Sequence, residues 1–176
     1  MPDLVRGKLP TDLPAAVDEG VHRHRRVDAL TDRHPVFGET VAWLRPTQGR
    51  FAGIVADVLY DHALAVAWDA YHDTALPAFI AQAYQRLQSV EAEMPERMRF
   101  AVRLMVEQDW LGRYATDAGI DATFRQMSER FAQRFGREVH LETAVADLIA
   151  NRELLHDQFG RFFPSLVEQL AAEGFT

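Results

Sequence analysis

Phe51-Ala-Gly-Ile-Val-Ala-Asp57-Val-Leu-Tyr-Asp61-His62-Ala-Leu-Ala-Val-Ala-Trp68 is the stretch whose reading decides the fold. Its apolar residues do not alternate as those of a half-buried strand would. They fall on nearly every face of a helix, and a helix apolar all round belongs in the middle of a bundle. Asp57, Asp61 and His62 interrupt the run and argue against a membrane span. The stretch therefore predicts a long central helix, from about Arg50 to Tyr71, with other helices packed around it.

Outward from that centre, helix signals recur and no alternating strand is found. A first helix is expected to begin near Pro14 and to run through Val21, Val27 and Leu30. Thr31-Asp32-Arg33-His34-Pro35 interrupts it, because a residue before proline is pushed out of the helical region. Pro35 opens a second, shorter helix that Pro46 is expected to end. After a turn at Asp73-Thr74, further helices are predicted over 75–92, 95–114 and 121–135, with Gly136 as a stop. A last pair is predicted over 142–160 and 164–172. The expected architecture is all-α, a compact multi-helix bundle forming one domain over residues 1–176.

Composition narrows the classes of function. A chain of 176 residues, 48% hydrophobic and 26% charged, has the make-up of a globular domain able to bury a core. With no cysteine, disulfides, thiolate metal sites and a cysteine nucleophile are excluded. A net charge of -7 disfavours nucleic acid as a partner, since phosphate backbones need a basic surface. The opening Met1-Pro2-Asp3-Leu4-Val5-Arg6-Gly7 holds no long apolar run suited to a leader, so the expected location is the cytoplasm, away from any membrane.

Two segments concentrate chemistry. Asp57 and Asp61 are four apart and project from one helical face, where like charges repel. Their neighbours Val55, Val58, Leu59, Leu64 and Val66 suggest burial, and an unpaired buried carboxylate is costly. Either one stays protonated, or arginines lie close, or a cation sits between them; His62 could add a nitrogen ligand or a proton-transfer group. The plainer alternative is an exposed helix edge with ordinary ion pairs. In Gly20-Val-His22-Arg-His24-Arg-Arg-Val-Asp28-Ala-Leu-Thr31-Asp32, His24 and Asp28 again share a face, and Asp32 follows one turn on. Mixed nitrogen and oxygen donors suit manganese, iron or zinc, while a solvated basic helix end would look the same. Between positions 22 and 50, Arg23, Arg25, Arg26, Arg33, Arg45 and Arg50 outnumber Asp28, Asp32 and Glu39. That makes a local basic rim able to steer an acidic partner. Trp110 and Tyr114, at helical spacing, read as core. No glycine-rich phosphate loop, serine elbow or dinucleotide fingerprint occurs.

At these segments the chain resembles the bacterial acyl-carrier-protein phosphodiesterases. The resemblance rests on Gly20-x-His22-x-His24-Arg25-Arg26-x-Asp28-x-x-Thr31-Asp32 and on Asp57-Val58-x-x-Asp61-His62-x-Leu64 with Trp68. Asp3-Leu4-Val5-Arg6-Gly7, Trp110-Leu111-x-x-Tyr114 and Phe162-Phe163-Pro164 support it. It implies hydrolysis of the phosphodiester joining 4'-phosphopantetheine to a serine of acyl carrier protein, with manganese as the usual metal and an HD-domain-like helical fold. Carried over by position, it implies Asp3, His24, Asp28 and Asp57 as metal ligands. Asp61 and His62 would handle protons, and Arg23, Arg25, Arg26 and Arg33 would meet phosphate or carrier. A phosphohydrolase acting on another small phosphoester, or a non-catalytic carrier-binding module, are the other expectations. Two departures stand out. The Asn-Phe-Leu-Ala-His-like helix and Gly-Asn turn that usually open the family are absent before Asp3. The contiguous His-Asp pair of the HD enzymes is replaced by Asp61-His62 in the opposite order.

Overall fold

The computed structural model describes residues 15–174, among which there is no strand. The first helical signal closes into α1 (Ala15–Arg33) and hands over at His34 to α2 (Pro35–Gln48). His34 is extended, and its Nδ1 accepts the Val36 N–H, so one of the amides left over at a helix start is satisfied. α3 (Ala52–Val66) follows a short 3-10 turn and carries the apolar stretch. It is shorter than the sequence suggests, because the chain tightens into a second 3-10 turn at Trp68–Ala70.

Three prolines and one aspartate test the expected boundaries. Pro46 does not end α2; the helix continues to Gln48 and stops at Gly49, whose φ of 54° suits glycine. Pro164 does not separate two helices either, for α9 (Arg152–Ala172) runs straight through it. The carbonyls these prolines strand, of Ala42 and Gly160, belong to exposed residues where water can serve them. The break falls earlier, at Asn151, between α8 (Ala144–Ala150) and α9. Pro95 sits just before α5 (Glu96–Glu107), as expected, but the predicted helix over 95–114 is cut at Asp109, which adopts a left-handed conformation ahead of α6 (Trp110–Arg113). Between these lie α4 (Leu76–Ser89) and α7 (Asp117–Phe135), the latter stopped by Gly136 at φ 63°.

α3 occupies the middle. α2 and α9 pack against it, α1 lies over α2 and α9, and α7 and α8 close another side. Leu44, Val55, Ala56, Leu59, Ile120, Phe124 and Leu155 are sealed from solvent there. A polar knot ties the three central helices. Thr40 on α2 donates to Gln158 on α9 at 2.8 Å, so its hydroxyl oxygen must accept from Tyr60 on α3, also at 2.8 Å. Trp43 donates to the same Gln158 oxygen at 3.0 Å. α4, α5 and α6 share a smaller core around Ile80, Tyr84 and Met105. No helix among the described residues is long and apolar enough to cross a membrane.

Leu59 is completely buried in α3. Leu59→Ala is expected to cost about 3 kcal/mol through lost transfer energy and the cavity left behind. The check is a lowered denaturant midpoint with the helical circular-dichroism signal retained.

Candidate active site

The exposed side of α3 carries the two carboxylates. Asp57 and Asp61 lie one turn apart and reach solvent, while Val55, Ala56, Val58, Leu59 and Tyr60 around them are buried. The burial that their apolar neighbours suggested is corrected in this respect: the side chains are open to water, as the alternative of a helix edge had it. They are nevertheless recessed among protein, and that partial loss of hydration is the first cause raising both groups. Asp57 is pushed up to about 7, by desolvation first, then by the neighbouring charge of Asp61 and by Asp32 and Asp28 of α1. Asp61 is pushed up to about 6, again by desolvation. The charges of Asp32 and Asp28 thus reach Asp57 from the other motif segment. Neither Asp57 nor Asp61 forms an ion pair or hydrogen bond among the described residues.

On α1, His24 Nε2 lies 3.6 Å from Asp28 Oδ2, both side chains more than half exposed, at 53% and 59%. An open groove is lined by Asp32 of α1, by Phe37, Gly38, Val41 and Arg45 of α2, and by Gly53 of α3. Gly53 stands one turn before Asp57 on α3. A side chain at Gly38 or Gly53 would meet nothing within 4 Å. Internal packing therefore does not demand these helical glycines, each of which costs about 0.5–1 kcal/mol relative to alanine. Sequence reasoning passed over both; a glycine inside a helix, without a turn to explain it, was the available signal.

Other expected members go elsewhere. His62 is 1% exposed and points into the core, because consecutive residues diverge by about 100° around a helix. Its Nδ1–H donates to the Tyr114 carbonyl at 2.8 Å, leaving Nε2 without a hydrogen-bond partner and 3.8 Å from Asp117. Burial holds its pKa below the ordinary histidine value. The geometry makes His62 a clamp between α3 and the α6 corner and keeps it off the Asp57–Asp61 face. Arg26 is committed to a forked pair with Glu173 at the end of α9, and Arg23 to Glu19 at 3.6 Å. Arg25 and Arg33 lie exposed on α1. Asp3 lies outside the described residues.

The donor chemistry, carboxylate oxygens that repel one another with a histidine nearby, suits a divalent cation. Among the described residues, no three histidine or acidic side chains converge into a metal-holding group.

The comparisons with known proteins agree with the motifs. The sequence profile of the family described as acyl carrier protein phosphodiesterase matches residues 1–166. Proteins named acyl carrier protein phosphodiesterase from Salmonella dublin, Salmonella agona (strain SL483) and Salmonella newport (strain SL254) are each 32% identical over 170 residues, covering 96% of this chain and 86% of theirs. The chain belongs to the acyl carrier protein phosphodiesterase family. No solved structure matches.

The raised Asp57 has a thermodynamic consequence. In the unfolded chain it releases its proton near the ordinary carboxylate value of about 3.9. Between that pH and about 7 the folded state holds the extra proton, so stability falls as pH rises through the window. In metal-free buffer, Asp57→Asn should melt above wild type at pH 8, with the gap closing toward pH 4. A gap that does not change with pH would contradict the raised carboxylate.

Proposed function

We propose that this chain hydrolyses the phosphodiester joining 4'-phosphopantetheine to the serine of acyl carrier protein, releasing apo-carrier, with the help of a divalent metal, manganese being the first candidate. Family membership supports the reaction, since the relatives bear that name. The single observation that carries the site is the pair Asp57 and Asp61 one turn apart on one face of α3, where desolvation first, and then the charges of Asp61, Asp32 and Asp28, lift Asp57 to about 7.

Asp57, Asp28 and His24 are the proposed ligands, joined by Asp3 from the segment outside the described residues. A divalent cation bound there would polarise the phosphoryl oxygen and lower the pKa of a bound water toward neutrality. Asp61, one turn along the same face, is the proposed proton acceptor for the attacking water, at a carboxylate oxygen. His62 takes no part in that transfer; its hydrogen bond to the Tyr114 carbonyl fixes the α6 corner against α3. The groove beside Arg45 and Asp32 is the proposed entry for the diester. Arg25, Arg33 and Arg45 would meet the acidic surface of the carrier, acting mainly on encounter rate and orientation. Arg26 would first have to leave Glu173.

Intact-mass spectrometry of holo-carrier incubated with the chain and manganese is the direct assay. The proposal expects loss of the phosphopantetheine mass, and loss of that activity in Asp57→Ala without loss of helix. Binding of holo-carrier with no cleavage by wild type would indicate a non-catalytic partner. Cleavage of simple phosphodiesters alone would indicate another substrate.

Linkage supplies a second prediction. Near neutrality, binding a cation must displace the proton that Asp57 retains. Manganese affinity, measured by calorimetry, is expected to rise from pH 6 to pH 8 with proton release, and a flat profile would contradict the assignment of Asp57 as a ligand.

A further inference from the structure

The stripe of α3 that carries the aspartates does not stop at Asp61. Asp57, Asp61 and Leu64 recur at helical spacing, and the same register leads on to Trp68, about 10 Å beyond Asp61 along the axis. Helical bonding continues to Ala67, whose N–H reaches the Ala63 carbonyl, so Trp68 leaves the helix on that side. Between them Leu64 and Ala65 are half-buried. Trp68 itself is buried, because the chain folds back over it. The His72 ring stacks on it at 5.1 Å, and Phe79 of α4 packs against it at 4.6 Å. The Trp68 Nε1–H donates to the Thr74 carbonyl at 2.7 Å, and His72 Nδ1 accepts the Thr74 N–H at 3.0 Å. These bonds brace the turn, and with Nδ1 accepting, neutral His72 carries its proton on Nε2.

Above this cluster, between the turn and α4, lies an open pocket of about 430 Å³. Small-molecule sites occupy roughly 300–1,000 Å³. Phe79, Ala83 and Leu87 give the pocket an apolar part, while His72, Thr74, Gln82 and Arg86 bring polar groups. The side chains of Gln82 and Arg86 make no hydrogen bond or ion pair among the described residues. Asp69 and Asp73, exposed on the same turn, offset the charge of Arg86. The pocket therefore offers hydrogen bonds without an excess of positive charge, which suits a neutral polar chain rather than a second phosphate.

We propose that this pocket seats the pantetheine arm of the diester, with the phosphate at Asp57 and Asp61. The inference rests on the phosphodiesterase reading above and adds to it the place where the rest of the leaving group is recognised. The arm is neutral: two amides, a hydroxyl and a terminal thiol joined by short apolar links. Its amides pair with the Gln82 amide and the His72 Nε2–H, and its methylenes cover Phe79 and Leu87. In chain length it matches about four residues, whose extended reach is about 14 Å. That spans the distance from Asp61 past Leu64 and Ala65 to the pocket. Contacts remote from the bond that breaks still act on the rate, since they hold the phosphorus in place for attack.

Ala83→Trp fills the pocket from a half-buried position without removing a partner. Two readouts compare it with wild type. Ligand-observed NMR with pantetheine, the arm without its phosphate, in metal-free buffer is expected to show binding to wild type and none to the variant. On holo-acyl carrier protein with manganese, kcat/KM is expected to fall by about 10-fold or more, the scale on which a misfitting pocket discriminates. No binding to wild type, binding that the variant retains, or an unchanged kcat/KM overturns the inference while leaving the phosphodiesterase reading intact. Wild-type protein that releases no phosphopantetheine overturns both. Should Ala83→Trp melt well below wild type, the double variant Gln82→Ala, Arg86→Ala, at two exposed positions, takes its place with the same outcomes.

Discussion

Two like charges one turn apart on an otherwise oily helix are the constraint on which the rest depends. Asp57 and Asp61 repel each other, and Asp28 and Asp32 of α1 add to the same field. A fold gains nothing in stability from such a grouping, since burial and the neighbouring carboxylates make Asp57 harder to ionise. The cost is tolerable because the remaining sides of α3 are among the best packed in the molecule, with Val55, Ala56 and Leu59 fully enclosed. Packing on one side thus supports electrostatic strain on the other.

The two sides of α3 also divide the labour between order and chemistry. Tyr60 faces inward and joins the Thr40–Gln158 knot, fixing α3 against α2 and α9. His62 faces inward as well and holds the α6 corner by a carbonyl, at the expense of a buried, unpartnered Nε2. Between them, Asp61 turns to solvent. Rigid placement of the proposed reactive face therefore follows from residues that never reach it, as the close tolerances of a preorganised site require.

Much of the architecture was legible because helix periodicity and end signals are local. The His34-Pro35 junction and the Gly136 stop were placed correctly for that reason. Pro46 and Pro164 misled, since the penalty for a proline depends on whether water can reach the stranded carbonyl, a property of the folded surface. The break at Asp109 was invisible because its left-handed conformation is held by Tyr84, a residue 25 positions away. Site residues divided along the same line. The i, i+4 spacing of Asp57 and Asp61 put both on one face, as the sequence implies. His62 next to Asp61 looked like a partner in the list of letters, but helical geometry turned it inward. Arg26 looked available until Glu173 arrived from the far end of the chain.

Family membership gives the class of reaction, while the carboxylate field gives a physical reason for a cation at this place. Crystals of the chain grown with manganese and measured at the manganese absorption edge test that link most directly. An anomalous peak between α1 and α3, within bonding distance of Asp57, is the predicted result. A map with no peak there, or with manganese bound only elsewhere, would contradict it.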